Sequence, residues 1–151
     1  MRFTSLSLVA AASLSPAVLA ADDSEACATG LHMIVARGSS EAPGLGRIGV
    51  VAGNVTELIP GSTVAAVDYP ATFDDYFDSE GAGAVAFVTM IAEYKKKCAN
   101  AKIALLGYSQ GAQALMDALC GTSETGFKVT EDLDESFDKE SEFSRRCIRN
   151  G

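Results

Sequence analysis

A chain of 151 residues, 48% hydrophobic and with four prolines, is long enough for one domain and too apolar to be disordered. Its formal net charge of −8 argues against nucleic acid or any other polyanion as a partner and leaves neutral polymers and small esters open.

The first twenty residues read as a secretory signal peptide. Arg2 supplies a positive start. Leu8, Val9, Ala10, Ala11, Ala12 and Leu14 form an apolar and small run, Val18-Leu19-Ala20 precedes the cut, and Asp22-Asp23 opens a polar mature end. The apolar run falls short of the ~20 residues a membrane span needs, and no later segment is long and apolar enough, so no membrane partner is expected. The remainder, 21–151, is expected to be a single secreted, extracellular domain and a monomer. Removing Arg2 takes its net charge to −9. Cys27, Cys98, Cys120 and Cys147 are an even set after a signal peptide and imply two disulfides; three pairings are possible and the sequence does not choose among them. There is no C-x-x-C, and the one histidine, His32, lies upstream, so neither a metal site nor a cofactor is expected.

In chain order, "LHMIVA" (31–36) is an apolar, branched run read as a strand, and "RGSSEAPGLG" after it as a loop. Over 47–59, Ile48, Val51, Val55 and Ile59 recur at helical spacing and predict a helix with those residues inward, stopped by "PGS". "TVAAVDYP" (63–70) reads as a second strand. "ATFDDYFDSEGAGA" (71–84), small and acidic, reads as a loop. A helix is predicted over 84–97, with Val85, Val88, Ile91 and Ala92 inward and a lysine run at its last turn. "KIALLGY" (102–108) is a third strand, apolar enough to be covered on both faces. Residues 110–119 predict a third helix with Ala112, Leu115, Met116 and Leu119 inward. This β-α-β-α-β-α order implies an α/β fold with a parallel sheet, right-handed crossovers and helices on both faces. The tail, 128–151, differs in character. Val129, Leu133 and Phe137 suggest an amphipathic helix over about 131–143.

The chemistry lies at the third strand's end. "GYSQG" places Ser109 in a G-x-S-x-G between strand and helix, where the serine occupies a sharp turn and the helix N–H groups face any oxygen that gains negative charge. Ser109 is the candidate nucleophile and the Gln110 N–H one oxyanion donor. A second donor is expected from the loop after the first strand, where Ser39 offers its N–H and its hydroxyl.

The blocks "ARGSSEAPGLG", "PGSTVAAVDYPA", "KIALLGYSQGAQ" and "ALCG" together resemble the fungal cutinase family of secreted serine esterases, which includes acetylxylan esterases. The resemblance covers about residues 27–127. It implies a lidless α/β-hydrolase-like three-layer sandwich, Ser109 as nucleophile framed by Ser39 and Gln110, and a Cys27–Cys98 disulfide. It implies hydrolysis of carboxylic esters of plant cell-wall polymers, cutin or acetylated xylan, through an acyl-enzyme. "PGSTVAAVDYPA" and "ALCG" lean towards the acetylxylan esterases.

Past about residue 128 the family pattern is lost. The strand, aspartate, histidine and last helix that follow the serine helix in the family have no counterpart here, as in a truncated gene product. His32 sits near the start of the first strand, ~16 Å along the sheet from Ser109, whereas a general base works at about 2.6–3.2 Å. Two readings follow: a serine esterase that is inactive or weakly active as written, or a non-catalytic secreted protein that keeps a polymer-binding cleft. Cys120 either pairs with Cys147 or stays a free thiol. Asn54-Val55-Thr56 is an N-glycosylation sequon placed on a predicted helix.

Overall fold

The computed structural model describes residues 26–121 and 126–127. The expected signal peptide, the tail from 128 with its suggested helix, and Cys147 lie outside the described residues. Three strands, β1 (Leu31–Ala36), β2 (Thr63–Ala66) and β3 (Lys102–Gly107), alternate with three helices, α1 (Gly49–Leu58), α2 (Tyr76–Lys97) and α3 (Gln110–Cys120). The strands form one parallel sheet in the order β2-β1-β3. Helices cover both of its faces, which gives the three layers expected.

The alternation of a strand divides the core in two. Ile34 and Ala36 of β1 face α2 and α3, packing with Ala84, Phe87, Ile91, Ala114 and Ala118. Met33 and Val35 face the other way, against Ala52 of α1, with Ile48, Val55, Val64 and Leu106 around them. Met33, Ile34, Val35 and Ala36 are all fully buried, as befits the central strand.

β1 and the existence of all six elements follow the sequence reading; three details do not. First, α2 starts at Tyr76, two turns before the expected 84. The small, acidic stretch read as loop is instead the part of α2 that packs most closely, with Ser79, Glu80, Gly81, Gly83 and Ala84 buried. A methyl group at Gly83 would lie 3.0 Å from both Ala114 Cβ and the Tyr69 ring, so the absence of a side chain there lets α2 approach α3. Second, β2 ends at Ala66 rather than Pro70. Val67 N–H still donates to the Val35 carbonyl at 2.8 Å, but the carbonyls of Val67, Tyr69 and Pro70 are then turned to the Arg37 side chain. Third, only part of each predicted inward face is buried: Ile48, Val55, Val88, Ile91 and Leu115 pack inward as expected, and the others do not. Val51, Val85 and Met116 are exposed, and Ile59 past α1 also faces solvent; Ala52, Ala84, Ala114 and Ala118 complete the buried stripe. Small residues permit close layer packing, and the close contact decides which face turns inward.

At the amino ends of the strands, Cys27 and Cys98 form a disulfide that ties the chain before β1 to the end of α2. Ala28 N–H donates to Tyr94 Oη at 2.9 Å. Cys120 is not a free thiol; it is disulfide-bonded.

Candidate active site

Among the described residues, three other than glycine adopt a left-handed φ: Ser40 (62°), Ala71 (53°) and Ser109 (53°). Each lies a few residues past the carboxyl end of its own strand, β1, β2 and β3 respectively. Such a φ costs on the order of 1–3 kcal/mol and persists only where the surroundings enforce it. The strain is therefore gathered along one edge of the sheet, the edge at which parallel α/β proteins bind ligands. Ser40 and Ala71 are joined directly, Ser40 N–H donating to the Ala71 carbonyl at 2.7 Å.

The turn at Ser109 is fixed by its glycines. A Cβ on Gly111 would stand 2.5 and 2.6 Å from the carbonyl oxygens of Arg37 and Ala36, and one on Gly107 2.7 Å from Ala112 Cα. These neighbours are backbone and cannot swing aside. Gly111→Ala is expected to cost about 1–3 kcal/mol through overpacking and to displace the turn, read as a lower urea midpoint together with loss of reactivity at Ser109. An unchanged midpoint would show that the contact is not rigid.

Behind Ser109, Gln110 is fully buried and clamped at three points. Its Oε1 accepts from Ser79 Oγ at 3.1 Å, and its Nε2 donates to the carbonyls of Thr72 (3.0 Å) and Tyr76 (3.4 Å). Thr72 N–H in turn donates to Ser79 Oγ at 3.1 Å. The start of α2, which sequence reading took for loop, thus holds the first residue of α3. The N–H groups of Gly111, Ala112 and Gln113 go to the carbonyls of Tyr108 and Ser109, which leaves the Gln110 N–H as the first-turn donor with no acceptor among the described residues.

The loop after β1 shows the same pattern. Gly38 N–H donates to Glu41 Oε2 at 2.7 Å, Ser40 N–H to Ala71, and Glu41 N–H to Gly38. The Ser39 N–H has no acceptor among the described residues, and its buried Oγ has no hydrogen-bond partner either. Buried polar groups are normally paired, so a spare hydroxyl beside a spare amide is an exception that stands out at this edge. The two loops abut: Tyr108 N–H donates to the Ala36 carbonyl at 3.1 Å, and Gly111 lies against the carbonyls of Ala36 and Arg37.

Two residues that sequence reasoning passed over hold this edge together. Arg37, only 4% exposed, donates from Nε to the Glu41 carbonyl (3.1 Å) and from its Nη atoms to the carbonyls of Val67 (3.5 Å), Tyr69 (2.5 Å) and Pro70 (3.3 Å). Glu41 Oε1 accepts from Arg47 N–H (3.2 Å) and Nε (2.8 Å), and the Arg47 guanidinium lies over the Tyr108 ring, 4.9 Å from its centroid. The Gly38 amide, and then the Arg47 side chain, hold the Glu41 carboxyl below its usual range. The signals were the unusual arginine at the end of an apolar strand and the glutamate four residues on, but their partners are remote in sequence.

Tyr69 Oη donates to the Arg37 carbonyl at 2.5 Å, and burial pushes its phenol up to about 12. A phenol whose folded value is raised contributes stability in full below about pH 10, its ordinary value, and loses it as the pH climbs towards 12. Alkaline unfolding within that window, absent from a Tyr69→Phe variant, is expected by circular dichroism; identical alkaline curves for both proteins would contradict it.

His32 is elsewhere. In the β1–β3 register it pairs with Ile103, six residues before Ser109, or ~20 Å at the usual rise per residue. Its Nδ1 is 2.7 Å from Thr63 Oγ1, and its ring stacks on Tyr94 at 3.6 Å between centroids. It belongs to the disulfide end of the sheet.

A parallel sheet sandwiched between helices, with a strained serine on the strand–glycine–helix turn, defines the α/β-hydrolase class of fold. The comparisons with known proteins agree. The family model described as Cutinase matches residues 27–140. The chain is 34% identical to "Cutinase 11" of Verticillium dahliae over 107 residues, which is 66% of this chain and 36% of that protein. It is 34% identical to "Acetylxylan esterase 2" of Talaromyces purpureogenus over 60% of this chain and 42% of that one. The catalytic core domain of an acetylxylan esterase from Trichoderma reesei superposes with a TM-score of 0.65 at 30% identity, over 72% of this chain and 54% of that chain. The chain belongs to the cutinase family, and it spans between a third and a half of the length of these two curated relatives.

Proposed function

We propose that the chain carries the nucleophile and oxyanion donors of a secreted, monomeric carboxylic ester hydrolase acting on plant cell-wall esters, cutin or acetylated xylan. The observation that carries this reading is the set of unclaimed groups at one edge: the strained Ser109, the Gln110 N–H, and the N–H and Oγ of Ser39. Ser109 Oγ attacks the ester carbonyl carbon, and the charge that develops on the carbonyl oxygen is met by the three donors. Collapse expels the alcohol and leaves an acyl-serine, which water then hydrolyses. Relatives named cutinase and acetylxylan esterase support the reaction class. The apolar, Ala-rich stretch before Asp22 supports the secretory route.

The proton of Ser109 has no imidazole to receive it within the described residues. Deacylation needs the same base as acylation, so an acyl-enzyme formed slowly also persists. Incubation with p-nitrophenyl acetate followed by peptide mapping is expected to place a single acetyl group on Ser109. Ser39→Ala is expected to slow this acetylation about 100-fold, as loss of one oxyanion donor does, and His32→Gln to leave it unchanged. Acetyl groups scattered over surface serines and lysines, with Ser109 no more modified than the rest, would end the proposal.

The commitment of His32 to Thr63 and Tyr94 favours a second reading, a non-catalytic secreted protein that retains a polymer-binding cleft. Retention of the chain on insoluble cutin or xylan, with no acetyl group at Ser109, would support it.

A further inference from the structure

The outer face of α1 carries a group of exposed apolar side chains, with Glu57 beside them. Val50 is 69% exposed, Val51 45% and Leu58 80%. On a helix, positions three and four residues apart are neighbours. Asn54 is four residues after Val50, three after Val51 and four before Leu58, so it stands at the centre of this patch, and it is itself exposed. Asn54-Val55-Thr56 is also the one N-x-S/T sequon in the chain. We propose that Asn54 is an N-glycosylation site and that its glycan covers the apolar side chains on the outer face of α1.

Three features favour modification at this position. The patch lies on the solvent side of the α1 layer, whose inward face is Ile48, Ala52 and Val55, so a glycan there displaces nothing from the core. As the crossover between the parallel strands β1 and β2, α1 leads away from the edge that bears Ser109. The segment is also a weak helix in isolation: Gly53, Val51, Val55 and Thr56 are poor helix formers, and Ile48 makes no side-chain cap. A nascent segment of this composition stays extended long enough to be modified before it docks on β1. In the folded protein Thr56 Oγ1 donates to the Gly53 carbonyl at 2.7 Å, so the hydroxyl of the sequon is absorbed into the helix once its role in recognition is over.

The step is a glycosyl transfer from a lipid-linked oligosaccharide diphosphate. The Asn54 amide nitrogen forms a C–N bond to the anomeric carbon and loses one proton. The anomeric C–O bond breaks, and the lipid diphosphate leaves as the anion. The glycan so attached lies over Val50, Val51 and Leu58 and does for them what a partner protein would do: it keeps water-exposed apolar surface from meeting its like on a second copy.

The proposal rests on the secretory reading, and the test separates the two. The full chain would be expressed in yeast, and medium and cell fractions collected. Glycan release with peptide N-glycosidase in heavy-oxygen water is expected to leave a labelled aspartate at 54 in the protein from the medium. Asn54→Gln and Thr56→Ala are each expected to abolish the label and the accompanying gel-mobility shift. The deglycosylated protein is expected to bind more of a hydrophobic dye and to self-associate at lower concentration than the glycosylated form. Val50→Ser/Leu58→Ser in the Asn54→Gln background is expected to reverse both effects. Protein in the medium with an unmodified Asn54 would overturn the glycan while leaving secretion intact. Retention in the cytosol would overturn secretion and the glycan with it. A glycosylated protein whose dye binding is unaffected by deglycosylation would overturn the covering role.

Discussion

Turnover of a soluble aryl ester by the 151-residue chain is expected to lie about a million-fold below that of an enzyme with an intact serine–imidazole pair, a barrier increase of about 8 kcal/mol. Ser109 Oγ has no hydrogen-bond partner among the described residues, and the chain's one imidazole pairs with Ile103 in the register that carries β3 on to Ser109. Glu41 is a poor substitute. Its carboxylate is engaged by the Gly38 amide and by Arg47, and its pKa is lowered, whereas an effective base titrates near the working pH. What remains is the oxyanion donors and substrate positioning, worth about 10³–10⁴ over water in a serine hydrolase without its triad. Initial rates on p-nitrophenyl acetate, wild type against Ser109→Ala, measure this directly. Free imidazole should raise the Ser109-dependent part. Turnover of about 1 s⁻¹ or more without added base would place a functioning base beside Ser109 and defeat the argument.

The second large effect is thermodynamic. A Cys27→Ala/Cys98→Ala chain is expected to lose about 4 kcal/mol, the loop-closure entropy of a bridge of this span. The two cysteines are 71 residues apart in sequence, and between them lie β1, α1, β2 and α2. For a domain of this size the loss corresponds to a fall of about 20 °C in the melting temperature. The Ala28–Tyr94 hydrogen bond and the His32–Tyr94 stack sit at the same end and cannot replace a covalent tie. A melting temperature within a few degrees of wild type would mean that these contacts already hold the two segments together. Because the bridge is at the amino end of the strands, acetylation of Ser109 at low temperature should not change.

What could be read from the residues was what depends on short spacings. The run 31–36 and the G-x-S-x-G between strand and helix both involve neighbours in sequence. The helix faces are legible in part: Ile48, Val55, Val88, Ile91 and Leu115 pack inward at the expected spacing, while Val51, Val85 and Met116 turn to solvent. The layers lie so close that Ala52, Ala84 and Ala114 take the rest of the inner stripe. The first turns of α2 were hidden for the same reason: Ser79, Gly81 and Gly83 look like loop residues until Tyr69 and α3 are set against them. Arg37 and its three carbonyls on the β2 side, and the clamp on Gln110, join segments some thirty or more residues apart. No local pattern announces them, although they fix the turn on which the serine stands.

The left-handed backbone at Ser109 sets reactivity and durability against each other. A glycine would relax there and stabilise the folded chain by on the order of 1 kcal/mol, at the loss of the hydroxyl. Directed evolution that screened this protein for heat tolerance alone would therefore be drawn to position 109 and erase the proposed nucleophile. A screen for ester cleavage would keep the serine and have to find its tolerance among the exposed valines of the helices.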